Sequence, residues 1–398
     1  MHILLHDFAG HPFQAELSRA LARRGHRVTH AWFAGDTGPK GRMARTEGDA
    51  DTLAFLPAGQ DLRYSKTDFL RRRAGDIAYG KELGQAICAM KPDVVISGNT
   101  PTEAQEGIQR ACRQTGTPFI YWCQDFYSVA ASRLLARKLP GPGHLIGGYY
   151  RFLERRQMRR ASRVLHITES FRAQTDAWGI PRERVSVIPN WGALDEIGVL
   201  DRNTAWAQAN GLGPGTRFLY SGTLAMKHNP ELLAGLARAV TAGDQVVLVS
   251  AGVGADGLAA RAADGTLPGM RVLPLQPFEV FPQVLASGDI LLAVIEREAG
   301  TFSVPSKILS YLCAGRPIVL AAPGDNLAAQ ILRETGAGQV VEPEDTEGFA
   351  AAAQAFRDDP AARQAAGAAG RAYAEAHFDL ERVADKFETL FSEARNGL

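Results

Sequence analysis

No two cysteines of this chain stand in CxxC spacing; the four present, Cys88, Cys112, Cys123 and Cys313, are scattered. That excludes a zinc site built on paired thiolates and fits a reducing compartment. An excess of charge of one sign is also lacking. The 44 Lys and Arg balance 43 Asp and Glu, so net charge gives no reason to expect a nucleic-acid partner. Long hydrophobic runs are absent as well. The N-terminal apolar stretch, Ile3 to Leu5, meets His6 and Asp7 at once, which is too short for a signal peptide. No segment approaches the ~20 apolar residues that span a bilayer. The expected location is cytoplasmic, with a peripheral position on the inner face of the plasma membrane as its extension. A Walker loop, a serine nucleophile elbow and a catalytic Cys–His pair are missing too. His2/His6 and His26/His30 have the spacing of helical metal ligands but fall on predicted strands, where four residues separate side chains by ~13 Å. No metal and no cofactor are expected.

What is present is a repeated strand–helix alternation. At 398 residues, with 45% hydrophobic content and 41 glycines, the chain suits two α/β domains with many tight strand-to-helix turns. MHILLHDF reads as a buried strand, Gly10-His11-Pro12-Phe13 as a turn, and Phe13, Leu17 and Leu21 as the apolar face of a helix before the strand HRVTHAWF. That turn lacks GxGxxG and, at the carboxyl end of a strand, suits a polar organic group better than a pyrophosphate. PDVVISG and TPFIYWCQD are further buried strands, the second ending near Asp125 at a position able to face a cleft. A turn-rich stretch from Leu200 to Gly215 separates this series from a second one, RFLYSG, QVVLVSAG, MRVLPL, DILLAVI and IVLAA, with the linker near 191 to 213.

The second series concentrates phosphate-binding chemistry. RFLYSG runs into Gly222-Thr223 and then Lys227 ahead of a helix. QVVLVSAG carries Gly252 and Gly254 in a literal GxGxxG, with a helix predicted from Gly257. After DILLAVI comes a polar loop and a helix whose first turn holds Ser303 as N-cap, Val304, Pro305, Ser306 and Lys307. A strand, a loop and a helix N-terminus leave unpaired N–H groups for an anion, and Lys307 adds charge. The plainer reading, in which Ser306 caps and Lys307 is solvated, has equal claim on this stretch alone. The GxGxxG lies in the second series with no acid at a strand end about 20 residues on, so it argues only weakly for a dinucleotide. Asp49-Ala50-Asp51 has DxD spacing but sits in a loose loop.

One stretch is lopsided. From Arg133 to Arg163 there are nine basic residues, Glu154 is the one acid, and apolar and aromatic side chains are interleaved. That pattern predicts attachment to an anionic membrane surface, with no resemblance to a nucleic-acid module.

LARRGHRVT, RVSVIPN, FLYSGTLAMKHNPELL, VVLVSAGVG, ASGDILLAVI and SVPSKILSYLCAGRPIV together resemble the family-4 glycosyltransferases of GT-B fold, over nearly the whole chain, in a subgroup with an SVPSK donor loop. The resemblance implies two Rossmann-like domains facing across a cleft. Residues 1–190 with 376–398 would form the acceptor-binding domain and 191–375 the nucleotide-sugar donor domain. It implies that Lys227 neutralises the donor diphosphate above the Gly222 turn and that Ser303 to Lys307 hold phosphates and ribose. Leu275, Pro277 and Phe278 would frame the base, and Gly10 to Phe13, His11 included, would lie at the reaction centre. Three family positions depart: the glutamate pair is replaced by Phe302 and Ser310, with Glu296 or Glu298 as substitutes for the first, and Thr223 stands where an arginine is common. The expected function is a retaining, metal-independent transfer of a sugar from a nucleotide diphosphate, UDP ahead of GDP. The expected acceptor is a saccharide or a polyprenyl-diphosphate-linked saccharide in bacterial surface polysaccharide synthesis. The alternatives are a nucleotide-sugar epimerase or dinucleotide enzyme on a double-Rossmann frame, or a sugar-nucleotide-binding homologue without turnover.

Overall fold

The computed structural model describes residues 1–35, 40–62, 68–295, 297 and 306–397, with the backbone alone described at Ala130, Leu134, Lys138, Lys227 and Ser306. The chain divides into two compact units, Met1–Pro189 with Leu380–Leu398, and Asn190–Asp379.

The first unit is built on a parallel sheet of β1 (His2–Asp7), β2 (Arg27–Phe33), β3 (Leu53–Ala58), β4 (Val94–Gly98), β5 (Phe119–Cys123), β6 (Arg163–His166) and β7 (Val185–Val187). Their spatial order is β3-β2-β1-β4-β5-β6-β7. Every residue of β4 and β5 is buried, which is why VVISG and FIYWC read as unbroken apolar runs: helices cover both faces of a parallel sheet. The helices of this unit are α1 (Pro12–Arg23), α2 (Phe69–Met90), α3 (Thr102–Thr115), α4 (Tyr127–Lys138), α5 (Pro142–Arg160) and α6 (Arg172–Ala177). Pro12 starts α1 at a position whose N–H has no helical partner to lose, and Phe13, Leu17 and Leu21 turn inward. Between β6 and β7 the chain forms a 3-10 turn, Glu169–Phe171, followed by α6.

The second unit repeats the plan with β8 (Arg217–Ser221), β9 (Gln245–Val249), β10 (Met270–Leu273), β11 (Ile290–Val294), β12 (Ile318–Ala321) and β13 (Gly338–Val341), in the order β10-β9-β8-β11-β12-β13. Its helices are α7 (Ala205–Ala209), α8 (Glu231–Ala239), α9 (Val253–Ala263), α10 (Phe281–Ser287), α11 (Ser306–Cys313), α12 (Leu327–Thr335), α13 (Thr346–Asp358) and α14 (Pro360–His377). The core gathers Phe218, Tyr220, Leu232, Leu248, Leu292 and Phe349 around the sheet. Two expectations are corrected. The helix after β9 begins at Val253, not Gly257, because Gly252 serves as its N-cap. The turn-rich linker contains α7, capped by Thr204 Oγ1, which accepts from Ala207 N, and anchored by the buried Trp206.

Helix α15 (Leu380–Asn396) belongs to the first unit. Phe387 on its buried face packs 5.1 Å from Trp122 of β5. Arg24, at the end of α1, donates to Glu381, Asp385 and Glu388 of α15.

In both sheets the strand order reverses at one place, between β1 and β4 and between β8 and β11. Open α/β sheets bind ligands outside the carboxyl ends of the strands at such a switch point.

Candidate functional site

At the switch point of the second unit, the chain leaves β8 through Gly222 at φ +129°, a conformation in which a side chain is strained. Ser250 Oγ, at the end of β9, donates to Gly222 O at 2.7 Å. Tyr220 Oη donates to Thr223 O at 3.0 Å, and Tyr311 Oη accepts from Ser221 N at 3.0 Å, so the turn is held from three directions. Lys307, in the first turn of α11, reaches over it. Its Nζ donates to Tyr220 Oη at 2.8 Å and lies 4.0 Å from that ring's centre. A Cβ added at Gly222 would stand 3.2 Å from Lys307 Nζ, so the missing side chain is what admits the lysine. The Lys307 side chain keeps partial solvent contact, yet desolvation lowers its ammonium to about 7.

Gly252 and Thr223 are neighbours: a Cβ at Gly252 would lie 3.5 Å from Thr223 Cγ2 and 2.9 Å from Leu224 O. Gly254 packs its bare Cα against Leu224 O and Pro230. The GxGxxG therefore sits on the second βα turn of this sheet, one strand away from the switch point where a dinucleotide fingerprint belongs. Leu275, Pro277 and Phe278 follow β10, the next strand out, with Phe278 stacked on Phe281 at 6.1 Å. Ser310 lies half-buried on α11. Lys227 falls in a 3-10 turn, Met226–His228, and its side chain lies outside the described residues, as does that of Ser306. Ser303, Val304 and Pro305, together with Phe302, Glu296 and Glu298, lie outside the described residues altogether.

The first unit has its own cluster at the β1/β4 switch point. Gly10 turns at φ +74°, and Asp7, fully buried at the end of β1, accepts from Ala9 N, His11 N and His11 Nδ1, the last at 3.0 Å. Asn99, just past β4 at φ +52°, donates to the same carboxylate at 3.3 Å. Burial alone would raise Asp7, but the charge and hydrogen bonds of His11 outweigh it and hold the carboxyl at about 2. Desolvation opposes a charged His11, and Asp7 overrides it, so the imidazole titrates above its usual value. Asp7 thereby favours the protonated imidazole of His11, with Nδ1 engaged by the carboxylate. Pro12 opens α1 beside it. Phe13 corrects an expectation: it is buried, edge-on to Trp122 at 6.3 Å, and belongs to the core. Asp125 stands exposed beyond β5.

Three residues of these clusters go unselected in the sequence. Asp7 and Asn99 are single polar residues at strand ends, and Tyr220 is one aromatic in RFLYSG; the signal available was their position at the carboxyl ends of β1, β4 and β8. Elsewhere, Asp49 of the DxD accepts from Arg19 Nε at 3.0 Å and Asp51 pairs with Arg45, so both carboxylates serve the local loop. Within the basic run, Arg163 is buried in β6, where it donates to Glu183 O. It is thus no part of the surface expected from Arg133 to Arg163.

Sequence profiles of known families match both units: one described as "Glycosyl transferase 4-like domain" over residues 10–191, and one described as "Glycosyl transferases group 1" over residues 215–359. Over 309 residues the chain is 28% identical to WcaI of Escherichia coli (strain K12), designated a colanic acid biosynthesis glycosyl transferase, spanning 75% of this chain and 73% of WcaI. Among solved structures, sucrose-phosphate synthase (tll1590) from Thermosynechococcus elongatus superposes with a TM-score of 0.78 at 15% identity, over 99% of this chain and 98% of that one. Anabaena Alr3699/HepE, solved in complex with UDP-glucose, gives 0.70 at 16% identity over 98% and 100%. At such identities the likeness is one of fold. An epimerase or dinucleotide enzyme on a double-Rossmann frame is set aside by two transferase profiles in succession. The switch-point clusters, the two parallel sheets and these matches agree: the chain belongs to the family-4 glycosyltransferases of GT-B fold.

Proposed function

We propose that the protein moves a sugar from a UDP-sugar to a saccharide or polyprenyl-diphosphate-linked acceptor in the synthesis of a bacterial surface polysaccharide, with retention of configuration and without a metal. The observation that carries this reading is the convergence of the Gly222 turn, Thr223 and Lys307 at one switch point. A UDP donor is supported by the fold shared with Anabaena HepE, which was solved with UDP-glucose, and a surface polysaccharide by the designation of WcaI.

In this reading the second unit takes the donor. The C1–O bond to the diphosphate breaks with its electron pair passing to the diphosphate oxygen, the acceptor hydroxyl oxygen bonds to C1 on the same face, and its proton passes to the departing diphosphate. Charge grows on the diphosphate in that step, and Lys307, Lys227 and the start of α11 stabilise it. Ser303 to Ser306 add phosphate and ribose contacts, Ser310 stands where a family glutamate would, and Leu275, Pro277 and Phe278 frame the base. Gly252 and Gly254 shape the neighbouring turn. The first unit takes the acceptor through Gly10, His11, Pro12 and Asp125, and a lipid-linked acceptor brings the chain to an anionic membrane surface.

A thermal-shift titration with UDP, GDP and ADP, each with magnesium and with EDTA, tests the donor. Stabilisation by UDP that is indifferent to magnesium is expected; a requirement for magnesium, or stabilisation by ADP alone, sinks the reading. Lys227→Ala should lower turnover ~100-fold while acceptor KM changes little. Equal losses in both would remove Lys227 from the chemical step.

A further inference from the structure

Large apolar side chains that stand exposed are not spread evenly over this chain. Among the described residues, seven of eleven belong to α2, α4, α5 or the turn joining the last two. Leu145 is 79% exposed, Leu70 75% and Phe152 60%. Leu145, Tyr149 and Phe152 fall at i, i+4 and i+7 of α5, one stripe of the helix. Phe69 of α2 lies 6.4 Å from the Tyr150 ring, which brings the first turn of α2, Leu70 included, alongside that stripe.

α4 and α5 form a tight antiparallel hairpin. Tyr127 faces Tyr150 at 6.5 Å, Ser132 Oγ donates to Gly147 O at 2.9 Å, and Gly143 lies so near Leu135 that no Cβ would fit. The chain enters α4 just after the carboxyl end of β5, and α5 delivers it to β6 within a few residues of Arg160. α5 must therefore run toward the amino edge of the sheet, and the joined end of the hairpin extends beyond the carboxyl edge. At ~1.5 Å per residue that extension is on the order of 15 Å.

The charge on the hairpin is one-sided. Glu154 is the one acid from Tyr127 to Arg160, and it is 1% exposed, accepting from Ser128 N, Ser128 Oγ and Tyr121 Oη. The exposed charges are cationic, among them Arg133, Arg137 and Arg151. A protruding surface of guanidinium groups and exposed Leu and Phe, with the Arg156 guanidinium 5.6 Å over the Phe152 ring and the hairpin's one carboxylate withdrawn into the core, has the composition that inserts among anionic headgroups.

We infer that the exposed stripe of the α4–α5 hairpin, flanked by the first turn of α2, docks the protein onto an anionic lipid bilayer, with Leu145 and Phe152 entering the headgroup–acyl boundary and the arginines remaining at the phosphates. This deepens the membrane-surface reading above and rests on it for its purpose: the carboxyl edge that holds His11 would face lipid-linked substrate. The physical argument stands on the surface itself.

The test is sedimentation of the full chain with vesicles of phosphatidylcholine alone and with 30 mol% phosphatidylglycerol (roughly the anionic share at which polybasic surfaces respond), with UDP-induced thermal stabilisation measured on each preparation. Binding to the anionic vesicles only, falling with added salt, is expected. Leu145→Glu with Phe152→Glu should weaken it at least ~10-fold, Arg133→Gln with Arg137→Gln should do the same, and Val199→Glu, an exposed apolar position in the other unit, should change nothing. In Leu145→Trp the indole emission should shift to the blue on anionic vesicles. Failure to bind, binding unaffected by Leu145→Glu/Phe152→Glu, or a dimer in the absence of lipid that this pair of substitutions dissociates would overturn the inference; the dimer would assign the face to a second copy of the chain. UDP stabilisation retained alongside lost docking leaves the donor reading standing, and its loss with docking intact does the reverse.

Discussion

Lys307 Nζ and Tyr220 Oη share a hydrogen bond of 2.8 Å above the turn at Gly222, and among the described residues no carboxylate pairs with the lysine. Desolvation lowers the ammonium to about 7, so at pH 8, before a donor binds, Lys307 is largely neutral. A diphosphate restores the charged form. Donor binding at pH 8 should therefore take up close to one proton, read as a calorimetric enthalpy that varies with the ionisation enthalpy of the buffer, and Lys307→Met should abolish that uptake. Turnover in the variant should fall ~100-fold. Between about 7 and the ordinary lysine value the unfolded chain holds a proton that the folded chain has lost, so this group makes stability rise with pH in that window. Proton uptake unchanged in Lys307→Met would place the lysine away from the phosphates.

At Gly222 the backbone angle and the lysine constrain one position together. Alanine there would hold φ +129°, strained for any L residue at about 1–3 kcal/mol, and its Cβ would meet Lys307 Nζ at 3.2 Å. Gly222→Ala should lower the melting temperature by several degrees and weaken UDP binding about tenfold, because the lysine must move. An equally destabilised chain with undiminished UDP affinity would separate the turn from donor binding.

Glu154 shows how a buried acid writes itself into a pH profile. Burial, against the pull of the Ser128 hydrogen bonds, raises its carboxyl to about 7. The folded chain keeps this proton between the ordinary glutamate value and about 7 while the unfolded chain releases it, so stability from this group falls as pH rises through that interval. Glu154→Gln, which carries no charge to desolvate, should gain on the native protein by about 1–3 kcal/mol between pH 5 and pH 8. Melting temperatures of the two proteins that keep a constant difference over that range would mean that Glu154 is ionised throughout.

The strands are the most legible part of the chain because both faces of a parallel sheet are covered: β4, β5 and β11 carry apolar residues without alternation, and their turns follow. The donor-side cluster is legible for a related reason, since Gly222 and Gly252 stand next to strand ends and Lys307 in the first turn of a helix. What sequence cannot display is which strand ends are neighbours. Asp7 and Asn99 are 92 residues apart and meet only because β1 pairs with β4. Phe13 reads both as the close of the Gly10-His11-Pro12 turn and as the first apolar residue of the helix; α1 begins at Pro12 and turns that ring into the core. Glu154, one acid in a basic helix, reads as a surface counter-charge until α4 is folded over it and supplies Ser128.

Asp7 and His11 offer the sharpest separation of charge from shape. Asp7 is held at about 2 and His11 above its usual value, so each partner favours the charged form of the other. The carboxylate's share of stability is present above the ordinary aspartate value and lost as pH falls through about 2. The imidazolium's share is present below 6.5 and lost as pH rises through its raised folded value. Asp7→Asn is close in size and can keep acceptor bonds to Ala9 N and His11 N, but it cannot hold the proton on His11. The variant should be about 1–3 kcal/mol less stable near pH 5 and approach the native protein as pH rises past the native His11 titration. If His11 Nε2–H donates to the reacting saccharides, the basic limb of the kcat/KM profile should move to lower pH in Asp7→Asn, and His11→Gln, which retains a donor without a charge, should lose that limb. A basic limb that stays in place in both variants would confine Asp7 and His11 to shaping the turn after β1.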